Sequence, residues 1–328
     1  MQSRLPLALT PGDPAGIGAE IAAKAWLQRD GLPPFFVIDD AARLAGVPGA
    51  PPIVEIDTPG EATDAFHAGL PVLRHVFPEP TVPGTPDPGN ASATVDAIDR
   101  AVAFAVSGDA AGVVTNPINK KVLYDGAGFS WPGHTEYLAH LGGVDRTVMM
   151  LAAPGLRVVP VTTHIALAEV PAQLTTDTIV ETARITHAAL MRDFAIPEPR
   201  LAVAGLNPHA GEGGAMGRED IEIVAPAVSA LRAEGMQIRG PLPADTMFHP
   251  QARASYDVAL TMYHDQGLIP IKTLDFARGV NVTLGLPFVR TSPDHGTAYD
   301  IAGTGKADAT SLIEAIRVAG EMSRARAG

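Results

Sequence analysis

Residues 257–267 read DVALTMYHDQG, where an apolar run meets a cluster of polar side chains with no spacer between them. The run is typical of a buried β-strand, which we predict over Asp257–His264. In open α/β sheets, ligands bind beyond the carboxyl ends of the strands. We therefore expect His264 to lie where a ligand binds.

Two other apolar segments end on a histidine in the same way. They are RVVPVTTH, which ends at His164, and LAVAGLNPH, which ends at His209. A catalytic divalent metal typically takes three protein ligands, and imidazole is a common one. The chain has 10 histidines, and any single one is more often an ordinary hydrogen-bonded or surface residue. The shared strand-end position nevertheless supports a metal site formed by His164, His209 and His264.

Short apolar runs alternate with longer segments of helical period along the chain, which predicts an α/β fold with a mainly parallel sheet. The predicted strands are Leu5–Thr10, Phe35–Asp39, Ala111–Pro117, Arg157–His164, Leu201–His209 and Asp257–His264. The predicted helices are Asn90–Gly108, Thr176–Phe194, Glu219–Gly235 and Ala309–Met322. Thr178 and Glu181 have the spacing of a capping box. Residues 48–90 are rich in proline and glycine and predict a long surface excursion.

Composition limits the class of protein. At 328 residues, the chain is long enough for two lobes or one large α/β unit, and 46% hydrophobic residues with a mean hydropathy of +0.13 suffice for a core. A net charge of −12 without a basic run disfavours nucleic-acid or anionic-membrane surfaces. The absence of cysteine excludes disulfides and thiolate sites. No segment reaches the length of a membrane helix, so we expect a soluble cytoplasmic protein without a membrane or nucleic-acid partner.

Several polar residues near the predicted strand ends suit an anionic ligand. His134 and Thr135 in GHTEY stand at a predicted helix start, where backbone N–H groups attract anions, although a plain threonine N-cap has the same pattern. Lys272, Asn281 and Arg290 follow His264, and lysine and arginine in one pocket would bind a phosphate. Singly, each is more often a solvated surface residue. The glycine-dense NPHAGEGGAMGRED segment suits either close backbone approach to a ligand or a mobile loop.

A nucleotide site is harder to identify from the sequence. Neither the G-x-G-x-x-G fingerprint nor a P-loop is present, which disfavours a Rossmann or P-loop site. The segment DHGTAYDIAGTGKAD, residues 294–308, is glycine-rich and able to wrap a dinucleotide with backbone contacts. It is equally compatible with a turn into the last helix.

Eight segments together resemble the PdxA family, the 4-hydroxythreonine-4-phosphate dehydrogenases of pyridoxal 5′-phosphate biosynthesis. They are TPGDPAGIGAE, TNPINK, PGHTEYLA, LNPHAGEGG, GPLPADTMF, YHDQGLIPIK, GVNVTLGLPFVRTSPDHGTA and DIAGTGKAD. The resemblance implies a two-lobed α/β/α fold like that of isocitrate and isopropylmalate dehydrogenases, without a Rossmann fingerprint. It implies a dinucleotide-side lobe at 1–125 plus 280–328 and a metal and dimerisation lobe at 126–279, with the active site in the cleft between them.

The resemblance also implies a chemistry. The enzyme would use NAD or NADP and a divalent metal such as Zn, Co or Mg. It would oxidise 4-phosphooxy-L-threonine at C3 to 2-amino-3-oxo-4-phosphooxybutanoate, which loses CO₂ to give 3-amino-2-oxopropyl phosphate. It would be a homodimer whose shared active site takes His264 from the neighbouring subunit.

The family's site residues map onto positions of this chain. His164, His209 and His264 would bind the metal, and the dinucleotide would contact Asp294 and Gly296. The substrate would contact His134, Thr135, Lys272, Asn281 and Arg290. Asp245 and Asp265 are candidates for the proton acceptor, and Asp265 is equally suited to orienting an imidazole.

Three other functions remain open from the residues. A dehydrogenase of the same fold could act on a phosphorylated sugar acid or a dihydrodiol dicarboxylate. A metal-dependent hydrolase or aldolase would need no dinucleotide. A non-catalytic phosphate-binding regulator would leave the three strand-end histidines unexplained.

Overall fold

The computed structural model describes residues 5–328, which fold into two compact units. The first unit contains residues 5–146 and 286–328, and the second contains residues 147–285. The sequence places the lobe boundaries at 126 and 280, whereas the units divide after Arg146 and before Leu286. The helix that begins at His134 consequently belongs to the first unit.

The first unit is built around six parallel strands. The strands are β1 (Leu7–Thr10), β2 (Phe35–Asp39), β3 (Ile53–Ile56), β4 (Leu70–Arg74), β5 (Val113–Thr115) and β12 (Arg290–Pro293). They are ordered β3-β4-β2-β1-β5-β12. The helices are α1 (Gly18–Leu27), α2 (Ala41–Ala45), α3 (Ala62–Ala68), α4 (Ala91–Ser107), α5 (Lys120–Ala127), α6 (His134–Leu141) and α12 (Thr310–Arg326). After β1 the chain forms β2 on one side of that strand and later forms β5 on its other side. The topological switch point of this sheet therefore lies between β1 and β5.

The second unit has a mixed sheet. Its strands are β6 (Val148–Ala153), β7 (Leu156–Pro160), β8 (Arg200–Ala204), β9 (Gln237–Leu242), β10 (Val258–Thr261) and β11 (Val280–Leu284). They are ordered β11-β6-β7-β10-β8-β9, with β6 antiparallel to both of its neighbours and the other pairs parallel. The helices are α7 (Val170–Gln173), α8 (Thr176–Phe194), α9 (Ala225–Ala233), α10 (Pro250–Arg253) and α11 (His264–Leu274).

Each unit has its own apolar core. Phe36 and Ile38 of β2 pack with Ile98 of α4 in the first unit. Val158 and Ala259 lie in the core of the second. Burying a large apolar side chain stabilises the fold by about 1.5–3 kcal/mol. A strand that is covered on both faces buries every side chain, and its sequence is therefore a continuous apolar run. The α/β fold expected from the sequence is confirmed. Among residues 5–328, no helix is long and apolar enough to cross a membrane.

The three predicted strands that lead to the histidines end earlier in the structure than the sequence predicts. β7 ends at Pro160, β8 at Ala204 and β10 at Thr261, so each histidine lies beyond its strand. The segment Glu219–Gly235 begins with a π-turn at Asp220–Val224 before α9. The helix Thr176–Phe194 agrees with the prediction, but its capping box joins Thr175 to Thr178 instead of using Glu181.

The interpretation of residues 48–90 as a long surface excursion is wrong for much of that segment. It contains β3, α3 and β4, and both strands belong to the parallel sheet of the first unit. Val72 is fully buried in β4. Pro52 and Gly69 flank these short strands, so the proline and glycine mark the turns between elements.

Candidate active site

Three parallel strands of the second unit bring the three histidines to one edge of the sheet. β7, β10 and β8 are adjacent and parallel, so their carboxyl ends lie side by side. His164 follows β7, His209 follows β8, and His264 is the first residue of α11, after β10. This is the edge at which α/β proteins bind ligands.

His164 and His264 lie together within one chain. Their ring centroids are 5.7 Å apart, and both side chains line a cleft of about 260 Å³. The structure therefore brings two of the three predicted metal ligands to one cleft.

Asp265 orients one of these rings. Its Oδ1 lies 2.7 Å from Nδ1 of His264. When the carboxylate accepts a hydrogen bond from Nδ1–H, the lone pair of the imidazole is on Nε2, the nitrogen left for a ligand. This contact supports the interpretation of Asp265 as a residue that orients an imidazole.

His209 stands in an unusual backbone conformation. Residues 209–213 all have positive φ, with 52° at His209, 51° at Ala210 and 41° at Glu212. Left-handed backbone costs a residue with a side chain roughly 1–2 kcal/mol, so the run of three such residues needs support from its surroundings. Strain of this kind is concentrated at functional sites.

A complete metal site is not present in the described part of one chain. Among residues 5–328, no group of three or more His, Cys, Asp and Glu side chains lies close enough together to hold an ion. The donor set is nevertheless suitable, since imidazole binds most divalent transition metals. The pair His164 and His264 places two imidazoles at one cleft.

Lys272 and Asn281 lie on the same unit as the histidines. Lys272 is about two turns along α11 from His264, and both line a second cleft of about 370 Å³. Its Nζ lies 5.6 Å from the ring centroid of Phe276. Asn281 is on β11, and its Oδ1 is buried without a hydrogen-bond partner in residues 5–328. A buried acceptor without a hydrogen bond lowers the stability of the fold, and a ligand that donates to it would remove this cost.

The first unit carries a buried basic pair. Arg290, 4% exposed at the start of β12, donates to Thr115 Oγ1 from Nη2 at 2.7 Å, and burial lowers its pKa to about 10, so it stays charged at neutral pH. Burial and the charge of Arg290 hold the pKa of His134 well below its usual range. His134 Nε2 is buried and, within the described chain, has no hydrogen-bond partner. The pair thus presents a cation and a neutral imidazole.

Thr135 is the second residue of α6, which begins at His134 with Gly133 as its N-cap. The alternative of a plain threonine N-cap is therefore wrong. Asp245 is exposed on a 3₁₀ turn, Ala244–Thr246, directly after β9. Because β9 is parallel to β8, Asp245 is at the same edge of the sheet as the histidines.

The glycine-rich segment 294–308 is anchored to the start of the first unit. Tyr299 donates from its hydroxyl to Asp13 Oδ2 at 2.8 Å, and Ile17 N donates to the carbonyl of Thr297 at 3.1 Å. Burial raises the pKa of Asp13, although the Tyr299 hydrogen bond opposes it, and the pKa of Tyr299 is raised to about 12. Gly296 is exposed and has open space where a side chain would be.

Lys24 of α1 fastens the far end of this segment. Its Nζ donates to the carbonyls of Gly305 at 2.8 Å and Ala307 at 2.5 Å. The segment is thus held at both ends, which suits a backbone platform for a ligand. Asp294, at its beginning, is half-buried, and its backbone N–H donates to Ser311 Oγ at 3.0 Å.

Sequence reasoning missed the residues that support these loops. Asp13 stands in the quoted segment TPGDPAGIGAE and Gln266 in YHDQG, but no spacing marked either residue as a support for another segment. Asp220 is 1% exposed, and its role depends on a contact with residues 13 and 14 positions earlier. The one signal in the sequence for Asp220 was a charged residue within an apolar helical pattern.

The chain is similar to known proteins over nearly its whole length. The family model described as pyridoxal phosphate biosynthetic protein PdxA matches residues 35–319. A protein of Paracoccus denitrificans (strain Pd 1222) named 4-hydroxythreonine-4-phosphate dehydrogenase is 57% identical over 330 residues, covering 99% of this chain and 100% of that protein.

Solved structures agree with this. A crystal structure of 4-hydroxythreonine-4-phosphate dehydrogenase from Klebsiella pneumoniae has a TM-score of 0.88 and 40% identity, covering 98% of each chain. A terephthalate 1,2-cis-dihydrodiol dehydrogenase from Burkholderia xenovorans LB400 has a TM-score of 0.67 and 30% identity, covering 97% of this chain and 98% of that chain.

Proposed function

The chain belongs to the PdxA family, and we propose that it oxidises 4-phosphooxy-L-threonine at C3 with NAD or NADP. The product, 2-amino-3-oxo-4-phosphooxybutanoate, then loses CO₂ to give 3-amino-2-oxopropyl phosphate. The observation that carries this proposal is the 57% identity, over the full length of both chains, to a protein named for that activity.

We propose that His164, His209 and His264 bind a divalent cation. The donor set supports this, because imidazole binds most divalent transition metals and all three histidines follow adjacent parallel strands. His209 would supply the third imidazole from its left-handed turn. When bound, a divalent ion supplies Lewis acidity that lowers the pKa of a hydroxyl group and polarises a ketone.

The basic residues would bind the anionic groups of the substrate. Arg290 is charged and fixed by Thr115, and guanidinium binds phosphate or carboxylate through two hydrogen bonds. Lys272 offers a second cation beside the histidine cleft. His134, Thr135 and Asn281 would complete the set, since His134 Nε2 and Asn281 Oδ1 have no partner within residues 5–328.

Oxidation at C3 breaks the C3–H bond and the O–H bond. A bound nicotinamide would accept the hydride, and the proton would pass to a base. The carboxylate of Asp265 contacts His264, so we propose the exposed Asp245 as the acceptor, reached directly or through a water molecule. The subsequent loss of CO₂ leaves an enolate, which takes up a proton to give the ketone.

The dinucleotide would lie on the anchored segment 294–308. Its glycines allow close approach of the backbone, and its contacts with Asp13 and Lys24 hold it in place without a ligand. Asp294 and Gly296 are the proposed contact residues. This arrangement would bind NAD without a Rossmann fingerprint.

We propose that the enzyme is a homodimer whose partner subunit completes the site. Four large apolar side chains of the second unit support this, because they are exposed in the single chain: Leu167 at 69%, Ile269 at 63%, Leu274 at 44% and Phe276 at 75%. Exposed apolar groups of this kind mark association surfaces. In the family's arrangement, His264 acts at the neighbouring subunit's site.

A second substrate class is supported by one observation. The 30% identity to a terephthalate dihydrodiol dehydrogenase places a related chain with another substrate in the same fold. That substrate carries carboxylates in place of a phosphate, and Lys272 and Arg290 could bind those as well.

The test is formation of NADH from a panel containing 4-phosphooxy-L-threonine, phosphorylated sugar acids and terephthalate dihydrodiol. We expect the phosphorylated amino acid to give the highest kcat/KM and an aminoketone phosphate product. Reduction of NAD only with the dihydrodiol would replace the proposal with the second class. Failure to reduce either NAD or NADP with any of these compounds, in the presence of Co²⁺, would overturn the proposal.

A further inference from the structure

Hydrogen bonds outside the histidines themselves link the three loops that carry them. The first link joins the ends of β7 and β10. Thr162 donates from Oγ1 to the carbonyl of Met262 at 2.7 Å, and its backbone N–H reaches the same oxygen at 3.3 Å. Thr162 and Met262 each precede a histidine by two residues, so this link fixes the spacing of the His164 and His264 loops.

Gln266 forms the second link. Its Oε1 accepts from the backbone N–H of Met262 at 2.7 Å, and its Nε2 donates to the carbonyl of Gly205 at 2.8 Å. Gly205 directly follows β8 and begins the loop that leads to His209. One side-chain amide thus ties the His264 loop to the His209 loop, and it needs both a donor and an acceptor to do so.

The third link is between Asp220 and the backbone of the loop that leads to His209. Its carboxylate accepts from the backbone N–H groups of Leu206 at 2.7 Å and Asn207 at 3.0 Å. It also accepts from Asn207 Nδ2 at 3.1 Å. At 1% exposure these charge-assisted bonds are protected from water. They fix the two residues that lead into Pro208 and the left-handed run beginning at His209.

We propose that Gln266 and Asp220 are positioning residues. Asp220 fixes the loop that carries His209, and Gln266 ties that loop to the one that carries His264. The inference rests on the proposed metal-binding function of these histidines. Neither residue belongs to the proposed ligand set, and each acts through the backbone that leads to a proposed ligand. Groups that orient metal ligands typically contribute about 10–100-fold to metal affinity.

The variants Asp220→Asn and Gln266→Met test this with little change in size. An amide at position 220 turns an NH₂ group toward the N–H donors that the carboxylate accepts. Methionine at 266 removes both hydrogen bonds. Asp257→Asn is the matched control for Asp220, because Asp257 also accepts a backbone N–H, from Arg200 at 2.8 Å, but at the amino end of β10. Gln237→Met is the control for Gln266, because its amide bonds only exposed Glu198.

The measurement is titration of the full-length metal-free protein with Co²⁺, followed by the visible absorption of the bound ion. His209→Ala serves as the reference for loss of a ligand. We expect Asp220→Asn and Gln266→Met each to bind Co²⁺ about 10–100-fold more weakly than wild type, with an altered spectrum, while both controls bind as wild type does. Thermal unfolding of the metal-free proteins reports whether each variant is folded. If Asp220→Asn or Gln266→Met does not fold, the folded variant of the two tests the inference.

The outcomes separate this inference from the proposed function. Weak binding by His209→Ala with wild-type affinity and spectrum in the folded positioning variants would overturn the inference alone. Wild-type affinity in His209→Ala would overturn the proposed ligand set, and the inference with it. An equal loss in Asp257→Asn and Asp220→Asn would also overturn the inference, because the effect would then be general destabilisation.

Discussion

His134 is neutral at physiological pH because burial and the guanidinium charge of Arg290 both lower its pKa. A neutral imidazole can accept or donate a hydrogen bond to a substrate without adding a second cation beside Arg290. The charge that binds an anion in the first unit is therefore carried by Arg290. The sequence identified His134 and Arg290 as candidates for binding the substrate. Their burial and their proximity explain why His134 is neutral, while Arg290 stays charged.

The pH dependence of stability follows from the direction of this shift. As pH falls below 6.5, the ordinary histidine value, the unfolded chain takes up a proton before folded His134 does. Stability is therefore full above that value and is lost as pH falls toward the folded pKa. We expect His134→Asn to lose less free energy of unfolding than wild type between about pH 7 and about pH 5 in urea titrations.

The exposed His67 supplies the control, since His67→Asn should leave the pH profile of wild type unchanged. Identical acid losses in wild type and His134→Asn would contradict the neutral, buried state of His134.

Lys272 gives a second prediction at this scale. A hydrogen bond to a charged group contributes about 1.5–3 kcal/mol, so Lys272→Met should raise KM for the phosphorylated substrate about 10- to 150-fold. Its effect on kcat should be smaller if the ammonium binds a group remote from C3. Steady-state kinetics of NADH formation measure both constants. Lys121→Met, at an exposed ion pair with Asp125, should match wild type, and an unchanged KM in Lys272→Met would exclude the contact.

At the scale of elements, the strands and most helices follow from the sequence because buried strands and amphipathic helices leave periodic apolar patterns. The ends of the strands do not. His164, His209 and His264 were predicted within strands, but each lies beyond one, because polar loops can continue a strand-like pattern. α11 was not predicted, since Gly267 and Pro270 interrupt its sequence. The left-handed run at His209 depends on contacts with Asp220, which no local pattern records.

The left-handed backbone of residues 209–213 also leads to a prediction about stability. Gly213 has a φ of 66° and open space around its Cα, so an added methyl group meets no neighbour and the cost is conformational. We expect Gly213→Ala to lower the free energy of unfolding by about 1–2 kcal/mol, measured by urea denaturation. Gly46→Ala is the control, because Gly46 has a φ of −82°. If both variants were equally stable, the left-handed conformation at 213 would be in doubt.

At the scale of the whole molecule, the single chain brings two imidazoles together, and the proposed dimer supplies the complete set. The sequence suggested the three histidines, but no pattern in one chain reveals which subunit each one serves. The exposed apolar side chains of the second unit are the observation that supports the proposed dimer.

Mixing two inactive variants tests the exchange of His264 between subunits. His209→Ala and His264→Ala should each be inactive alone. In a hybrid dimer, one site would lack both residues and the other would be intact. Random mixing should therefore restore about a quarter of wild-type activity, because half of the dimers are hybrids. No recovery, with hybrid formation verified by mass, would place all three ligands in one chain.

The most direct test of the central claim is anomalous diffraction from a crystal of the full-length protein grown with Co²⁺. We expect one peak at the shared edge of β7, β8 and β10, within about 2.0–2.2 Å of ring nitrogens from His164, His209 and His264, one of them contributed by the partner subunit. Binding through Nε2 of His264 would agree with its Nδ1 contact to Asp265. A cobalt ion bound elsewhere, or these three rings found apart in the assembled dimer, would contradict the account.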